Sequence, residues 1–238
     1  MRILVTGGCG FIGSAVIRHL IRTTGHHVVN VDKMTYAASE DALEEARGDP
    51  RHLLLRADIT DAAAMREIFA AHAPDAVMHL AAESHVDRSI DGPAPFVHTN
   101  VTGTFVLLEA ARAHWSQLDR AAQARFRFHH ISTDEVFGAR QPRSNLAVVQ
   151  AICATLDALA PDPLGPRERL IHFVTDRPGH DFRYEIDPAR AAAALDWIAP
   201  HGFDRGLRRT VQWYLDNRAW WEPIRRAHYA GQRLGTAP

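Results

Sequence analysis

The chain has 238 residues, of which 46% are hydrophobic and 23% charged, and its 27 basic and 28 acidic residues give a net charge of −1. This hydrophobic fraction excludes a disordered chain, and the balanced charge is not typical of a protein that binds nucleic acid or an anionic membrane. Two cysteines are too few for a disulfide framework, and no stretch reaches the roughly 20 apolar residues of a membrane span. The composition therefore predicts a cytoplasmic globular protein.

The first 131 residues alternate between short apolar runs typical of strands and longer segments with apolar residues at helical spacing. Strands are predicted at 2–6, 27–31, 53–56, 76–80 and 126–131. Helices are predicted at 12–22, 61–73 and about 95–114, the second with Thr60 or Asp61 as its N-cap. Because strands alternate with helices, this part of the chain is predicted to form βαβ units and a parallel sheet.

The pattern changes beyond Gly138. Residues 139–145 are predicted to form a turn or linker. The elements predicted after it are helices at 146–159, 188–196 and 203–217 and one short strand at 170–174. We therefore divide the chain into a βα-rich part, residues 1–140, and a small, mostly helical part, residues 141–238.

A glycine-rich segment, Gly7–Gly13 (GGCGFIG), lies between the first predicted strand and the first helix. Glycine lets the backbone approach a pyrophosphate, and the helix N-terminus offers free N–H groups. Asp32 ends the next strand about 20 residues further on, where its carboxylate would accept hydrogen bonds from a ribose diol and repel a 2′-phosphate. The pattern thus predicts NAD rather than NADP, the alternative being a tight turn without a ligand.

Other chemically suited residues follow the remaining strands, at the edge where ligands bind in open α/β sheets. Asp58 and Ile59 follow the third strand, where an adenine could lie, and the small residues of His79–Ser84 permit close approach of a cofactor. After the fifth strand, Ser132–Glu135 supplies hydroxyls and two carboxyls suited to general acid–base catalysis. The same four residues are also typical of a helix cap.

Four segments in this order resemble the dTDP-glucose 4,6-dehydratase family, within the extended short-chain dehydrogenase/reductase superfamily. They are Asp32–Ala37 (DKMTYA), Ala82–Ser89 (AESHVDRS), Ser132–Gly138 (STDEVFG) and Asp176–Asp181 (DRPGHD). The resemblance implies an α/β fold with a Rossmann-like, doubly wound parallel sheet. It also implies NAD-dependent oxidation at C4 of a dTDP-sugar, elimination of water across C5 and C6, and reduction at C6.

The resemblance further assigns residues to roles. Thr133 would hold the C4 oxygen, Asp134 would protonate the leaving C6 hydroxyl, and Glu135 would remove the C5 proton. The substrate would contact Ser84, Asp176, Arg177 and His180, although Asp176–Asp181 could instead be a Pro-Gly turn with salt bridges. The cofactor would contact Gly7, Gly10, Phe11, Ile12, Gly13, Asp32, Lys33, Thr35, Asp58, Ile59, Leu80, Ala81, Ala82, Ser84 and Thr99.

The superfamily's Tyr-x-x-x-Lys motif, whose tyrosine accepts the C4 hydroxyl proton, is absent from this chain. Lys33 is the only lysine, and the other 26 basic residues are arginine. The four tyrosines, at positions 36, 184, 214 and 229, are followed four positions on by Glu40, Pro188, Arg218 and Arg233. Loss of this base predicts little or no turnover, because a general base contributes roughly 10² to 10⁴ to the rate.

An internal gap explains the missing motif. Relative to the family, the chain passes almost directly from Gly138–Arg140 to the helix that begins near Asn145. The missing block would hold the catalytic helix, later strands and much of the sugar-binding domain. The sheet is then expected to end at strand five, in the order 3-2-1-4-5, and helix 95–114 to lose a neighbour from the family's homodimer interface.

Three functions therefore stand open: a dTDP-glucose 4,6-dehydratase homologue, a catalytically silent NAD-binding remnant, or an NAD-sensing module without sugar chemistry. No metal site is predicted, because the adjacent pairs His26–His27 and His129–His130 would point to opposite faces of a strand.

Overall fold

The computed structural model describes residues 1–133, 144–174 and 188–228. The chain divides into two compact units, one formed mainly by Met1–Ile131 and the other by Ser132–Arg233. None of the helices among the described residues combines the length and the apolar content needed to cross a membrane.

The first unit contains a five-stranded sheet whose neighbouring strands are all parallel. Its strands are β1 (Arg2–Thr6), β2 (His27–Asp32), β3 (His52–Arg56), β4 (Ala76–His79) and β5 (Arg127–His130). Their spatial order is β3-β2-β1-β4-β5. The predicted strands and the predicted order are therefore confirmed.

Helices cover this sheet on both sides. The helices of this unit are α1 (Phe11–Thr23), α2 (Ala62–His72), α3 (Val86–Asp91), α4 (Ala94–Phe96), α5 (Thr104–Ser116) and α6 (Arg120–Arg125). Asp61 is the N-cap of α2, where its side chain accepts hydrogen bonds from the backbone N–H groups of Ala63 and Ala64. The prediction of a cap at Thr60 or Asp61 is thus resolved in favour of Asp61.

The predicted helix 95–114 is not uniform. A π-helical segment, Val97–Gly103, joins α4 to α5, and α5 continues to Ser116. The sequence pattern also missed α3, α6 and a 3-10 segment at Glu40–Gly48, because such short elements carry little periodicity.

Successive side chains of β1 point to opposite faces of the sheet and contribute to two separate hydrophobic cores. Leu4 packs with residues of α2 and α5 on one face of the sheet, whereas Ile3 and Val5 pack with Ile17 and other residues of α1 on the opposite face. This follows from the two-residue period of a strand. Both faces of the central strands are therefore buried, as expected for a doubly wound parallel sheet.

The second unit is mostly helical in its described residues. It contains α7 (Asn145–Leu159), a 3-10 helix (Arg167–Leu170), α8 (Ala189–Leu195), α9 (Phe203–Asp216) and α10 (Arg218–His228). Helix α7 packs against α9 and the 3-10 helix. Among its described residues, Cys153 and Val211 are the only buried hydrophobic ones, so this unit has a small core.

The predicted strand at 170–174 is wrong. Leu170 ends the 3-10 helix, and residues 171–174 have no regular structure. In the described part of this unit there is no strand that could accept or donate the ladder hydrogen bonds a strand needs. The expected domain boundary near residue 140 stays a prediction, since residues 134–143 lie outside the described ranges.

Candidate functional site

Backbone atoms leave no space for a side chain at two positions of the glycine-rich turn between β1 and α1, and a Cβ at a third, Gly8, would collide with the Asn30 side chain. Gly7 has a φ of +69°, and a Cβ there would lie 2.7 Å from the Ala81 nitrogen. A Cβ on Gly13 would collide with the carbonyl oxygen of Gly7. Gly10 is less constrained, with a Cβ position 3.3 Å from the same oxygen. The turn therefore has the shape it does because positions 7 and 13 lack side chains.

The N-terminus of α1 is free to receive an anion. Gly10 is its N-cap and makes no side-chain capping hydrogen bond, and no acidic residue lies in the first turn. The side chains of Phe11 and Ile12 are exposed. Uncapped N–H groups and the helix dipole at this end would bind a phosphate. The residues present thus fit the pyrophosphate of a dinucleotide.

Asp32 holds the turn against the end of β2. Its carboxylate is almost fully buried, and its Oδ2 accepts a hydrogen bond of 2.9 Å from the Cys9 N–H. Its Oδ1 accepts one of 2.8 Å from the Met34 N–H. Each carboxylate oxygen has a further lone pair, so Asp32 can position the turn and still accept a hydrogen bond from a ribose hydroxyl.

The Lys33 side chain contacts groups from the π-helical segment and from the loops that follow β3 and β4. Its Nζ donates to Thr99 Oγ1 at 3.1 Å and lies 3.7 Å from Asp58 Oδ2 and 3.9 Å from Glu83 Oε1. Partial burial acts to raise the pKa of Asp58, but hydrogen bonds from Thr60 and the charge of Lys33 outweigh it, so the pKa lies below its usual value. Two carboxylates thus neutralise the only lysine at this edge.

The π-helical segment positions two of the predicted residues. Thr99 is buried within it and accepts the Lys33 hydrogen bond. Gly103 lies so close to Ile59 that a Cβ would come within 2.7 Å of the Ile59 Cδ1. Sequence predicted Thr99 and Ile59 as cofactor contacts, and the structure brings both to the same edge of the sheet.

The sequence analysis missed a set of contacts around Glu83. Asn100 accepts a hydrogen bond from the Glu83 N–H at 2.8 Å and donates one to the Glu83 carbonyl at 2.9 Å. The Tyr36 hydroxyl donates to Glu83 Oε2 at 3.3 Å, and the Arg88 guanidinium lies 3.7 Å from the centre of the Tyr36 ring. Tyr36, Glu83 and Arg88 lie in the segments that carry the family resemblance, but no sequence pattern predicts that they are in contact.

Tyr36 does not replace the missing tyrosine base. Burial raises its pKa, and the neighbouring Glu83 carboxylate raises it further than Arg88 lowers it. A base that accepts a hydroxyl proton near neutral pH needs the opposite shift. The phenol is therefore neutral and serves as a hydrogen-bond donor to Glu83.

His79 lies at the end of β4 and is almost fully buried. Its Nδ1 is 2.7 Å from Thr6 Oγ1, and its Nε2 is 3.0 Å from Thr104 Oγ1. Burial, and to a smaller extent the nearby His130, lowers its pKa from 6.5 to about 4. His79 is therefore neutral at physiological pH, as a buried imidazole between two hydroxyls is expected to be.

The remaining predicted residues divide into two groups. Leu80 and Ala81 are bonded to Thr6 through their N–H groups, and Thr35, Ala82 and Ser84 lie in the loops that follow β2 and β4. Thr133 follows Ser132, the first residue of the second unit. The calls that lie outside the described residues are Asp134, Glu135, Asp176, Arg177 and His180.

No three His, Cys, Asp or Glu side chains lie close enough to hold a metal ion in the part of the chain that the structure describes. The site therefore consists of a glycine turn, an uncapped helix, and the acidic edge around Lys33. With the parallel order β3-β2-β1-β4-β5, these features define a Rossmann-like dinucleotide-binding protein.

Comparison with known proteins gives the family. The sequence model of the GDP-mannose 4,6 dehydratase family matches residues 4–147. A dTDP-glucose 4,6-dehydratase from Neisseria meningitidis is 37% identical, with the alignment covering 99% of both chains. The chain belongs to the dTDP-glucose 4,6-dehydratase family.

Solved structures share its fold. A dTDP-glucose 4,6-dehydratase from Streptomyces venezuelae, crystallised with NAD, is 27% identical and superposes with a TM-score of 0.71 over 94% of this chain and 100% of that one. One from Bacillus anthracis, also in complex with NAD, is 21% identical with the same TM-score over 94% of this chain and 99% of that one.

The alignment also reveals the internal gap. It extends over 351 positions, whereas this chain has 238 residues, so at least 113 aligned positions have no residue here. The prediction that a block of the family's sequence is missing is therefore confirmed.

We predict that Gly13→Ala abolishes ligand binding at the glycine turn and lowers the free energy of unfolding by about 2 kcal/mol or more, because the new Cβ collides with backbone that cannot move aside. Gly25→Ala is the matched control, since a Cβ there meets nothing within 4 Å. Urea denaturation and dye-displacement binding measure both effects. Equal stability of the two variants would contradict the prediction.

We also predict a loss of stability in mild acid. The pKa of His79 is about 4 when folded and about 6.5 when unfolded, so the unfolded state binds more protons between these values. The free energy of unfolding should fall as the pH drops from about 6.5 and lose up to about 3 kcal/mol by pH 4. His52, whose pKa burial also lowers, adds to the trend. His79→Asn should remove the part of this pH dependence that is due to His79. If the free energy of unfolding of that variant depends on pH as steeply as that of the wild type, the assignment to His79 is refuted.

Proposed function

We propose that this chain binds NAD at the carboxyl edge of the sheet in its first unit. The observation that carries the proposal is the glycine turn that leads into the uncapped N-terminus of α1, with Asp32 holding the turn from the end of β2. The diphosphate would lie on the α1 N-terminus, and the ribose diol on Asp32. The solved relative from Streptomyces venezuelae, 27% identical to this chain, was crystallised with NAD, which supports NAD as the ligand.

The charges at this edge favour NAD over NADP. The carboxylate of Asp32 lies where a 2′-phosphate would add negative charge, and Lys33 is engaged by Asp58 and Glu83. A neutralised lysine offers no counter-charge to a phosphate. The adenine would lie near Asp58 and Ile59, and the nicotinamide end near Leu80–Ala82.

The family's activity is the 4,6-dehydration of dTDP-glucose, and the chemistry that NAD supplies to it when bound is reversible hydride transfer. Thr133 would hold the C4 oxygen, Asp134 would protonate the leaving C6 hydroxyl, and Glu135 would remove the C5 proton. For the nucleotide sugar, the candidate contacts are Ser84, Asp176, Arg177 and His180. These roles rest on the sequence resemblance.

In this chain we expect the first step to fail. No tyrosine has a lysine four residues on, and the raised pKa of Tyr36 makes it a poor substitute. At least 113 aligned positions of the family are missing, which also removes groups that orient the sugar. The function supported best is therefore an NAD-binding scaffold of the dehydratase family with little or no turnover, in which residues 141–238 are what remains of a substrate domain. A cytoplasmic location fits its two free, buried cysteines.

The outer face of the helical stretch from Val97 to Ser116 is a candidate surface for self-association. Val97, Val101, Phe105, Leu108 and Trp115 recur at helical spacing and are each more than 40% exposed. The opposite face of the same stretch is buried against the core. An apolar stripe of this kind favours contact between two copies of the chain.

The cofactor proposal is tested by calorimetry and by a turnover assay on the purified chain. NAD should bind, NADP should bind at least about tenfold more weakly because of the acidic edge, and no 4-keto-6-deoxy sugar should form from dTDP-glucose. Asp32→Asn should reduce the difference in affinity between NAD and NADP. Absence of NAD binding would refute the cofactor assignment, and robust product formation would refute the loss of activity.

Self-association is tested by light scattering over a range of concentrations. The wild-type chain should form dimers, whereas Phe105→Glu should shift it towards monomer because a charge on the stripe would be desolvated in the contact. Leu164→Glu is the control, as Leu164 is highly exposed and lies outside the stripe. A wild type that stays monomeric at all concentrations would exclude the dimer.

A further inference from the structure

A buried polar network joins the ends of β1 and β4 to the start of α5, and no step of the proposed function uses it. Thr6 and His79 are 0% and 1% exposed. Thr6 Oγ1 lies 2.7 Å from His79 Nδ1, and His79 Nε2 lies 3.0 Å from Thr104 Oγ1. The Ala81 N–H donates to Thr6 Oγ1 at 3.2 Å. The hydroxyls of Thr6 and Thr104, the His79 imidazole and the Ala81 N–H are thus hydrogen-bonded to one another.

Two hydrogen-bond directions are possible here, because a hydroxyl oxygen can accept two hydrogen bonds. If His79 Nδ1 donated, the buried Thr6 hydroxyl would accept from both Ala81 and His79, and its own hydrogen would have no acceptor among the described residues. The direction that avoids this cost has Thr6 as the donor to His79. The Ala81 N–H can only donate, so Thr6 Oγ1 accepts from it and has its own hydrogen available for His79 Nδ1. A neutral imidazole that accepts at Nδ1 carries its hydrogen on Nε2, and this N–H then donates to Thr104. Buried polar groups are costly when unpaired, so removal of one member disturbs the others.

The network ends at Ala81, whose backbone packs against the glycine turn. A Cβ at Gly7 would lie 2.7 Å from the Ala81 nitrogen and 2.9 Å from the Leu80 carbonyl carbon, so these backbones are in direct contact. The Leu80 N–H also donates to the Thr6 carbonyl at 3.1 Å. The position of Ala81 therefore decides how much space lies beside Gly7.

We propose that His79 is a positioning residue for the dinucleotide site. His79 fixes the orientation of the Thr6 hydroxyl, and this hydroxyl accepts a hydrogen bond from the Ala81 N–H. The position of Ala81 is thereby fixed against the backbone of Gly7. His79 itself contacts no ligand. The inference rests on the proposed function in that NAD is the ligand whose affinity the network would set.

The test compares Thr6→Val, which keeps the shape and removes the hydroxyl, with Thr6→Ser, which keeps the hydroxyl. Thr23→Val, at an exposed position at the end of α1, is the matched control. In the ligand-free protein, ¹⁵N NMR of the imidazole should show the Nε2–H tautomer of His79 in the wild type and in Thr6→Ser. Thr6→Val should lose that preference, and the Ala81 amide should exchange faster.

NAD affinity, measured by calorimetry, should fall about tenfold or more in Thr6→Val, which is the size expected for one buried polar group left unpaired. It should stay within about threefold in Thr6→Ser and Thr23→Val, where no buried partner is lost. A Thr6→Val protein that is less stable yet keeps the tautomer and the NAD affinity would overturn the proposal, since the network would then be structural only.

The wild type could fail to bind NAD, or Thr6→Val could fail to fold, and the proposal can still be tested in both cases. If the wild type binds no NAD, the proposed function fails, and the tautomer and the Ala81 exchange rate of the ligand-free protein still decide whether the network positions Ala81. If Thr6→Val does not fold, Thr104→Val removes the acceptor of the Nε2–H and should shift the tautomer towards Nδ1–H. An unshifted tautomer in Thr104→Val would refute the proposed direction of the network.

Discussion

Close contact between backbones at the β1–α1 turn is the constraint on which the rest of the first unit depends. Gly13 packs on the Gly7 carbonyl, and Gly7 packs on Ala81, so β1, α1 and the end of β4 meet without intervening side chains. Asp32 completes the arrangement by bonding the Cys9 N–H. A turn held from three directions leaves the N–H groups of α1 aimed outwards, which is the arrangement that an anionic ligand requires.

The missing block leaves the sheet of the first unit in place. The five strands and their two cores persist, because the contacts that build them lie within residues 1–131. What the chain lacks is the Tyr-x-x-x-Lys motif, since no tyrosine has a lysine four residues on. Tyr36 does not replace that tyrosine, because burial and its contact with Glu83 raise the pKa of the phenol.

Patterns within short stretches of sequence predicted the strands, the glycine turn and Asp32, because each depends on neighbours along the chain. The π-helical segment was not predictable in this way. It lies where Thr99 meets Lys33 and Gly103 meets Ile59, contacts between residues more than 40 positions apart. The error at 170–174 has the same origin, since a strand exists only if a partner strand is present to pair with it.

The sequence by itself determined the class of protein, the absence of the Tyr-x-x-x-Lys base and the single lysine, because these depend only on which residues occur and in what order. The tertiary structure decided how the groups are used. It assigned Lys33 to two carboxylates, gave Glu83 its partners Tyr36 and Asn100, and buried His79 between two hydroxyls. Hydrogen bonds and pKa values depend on distances and burial, and only the folded chain fixes these.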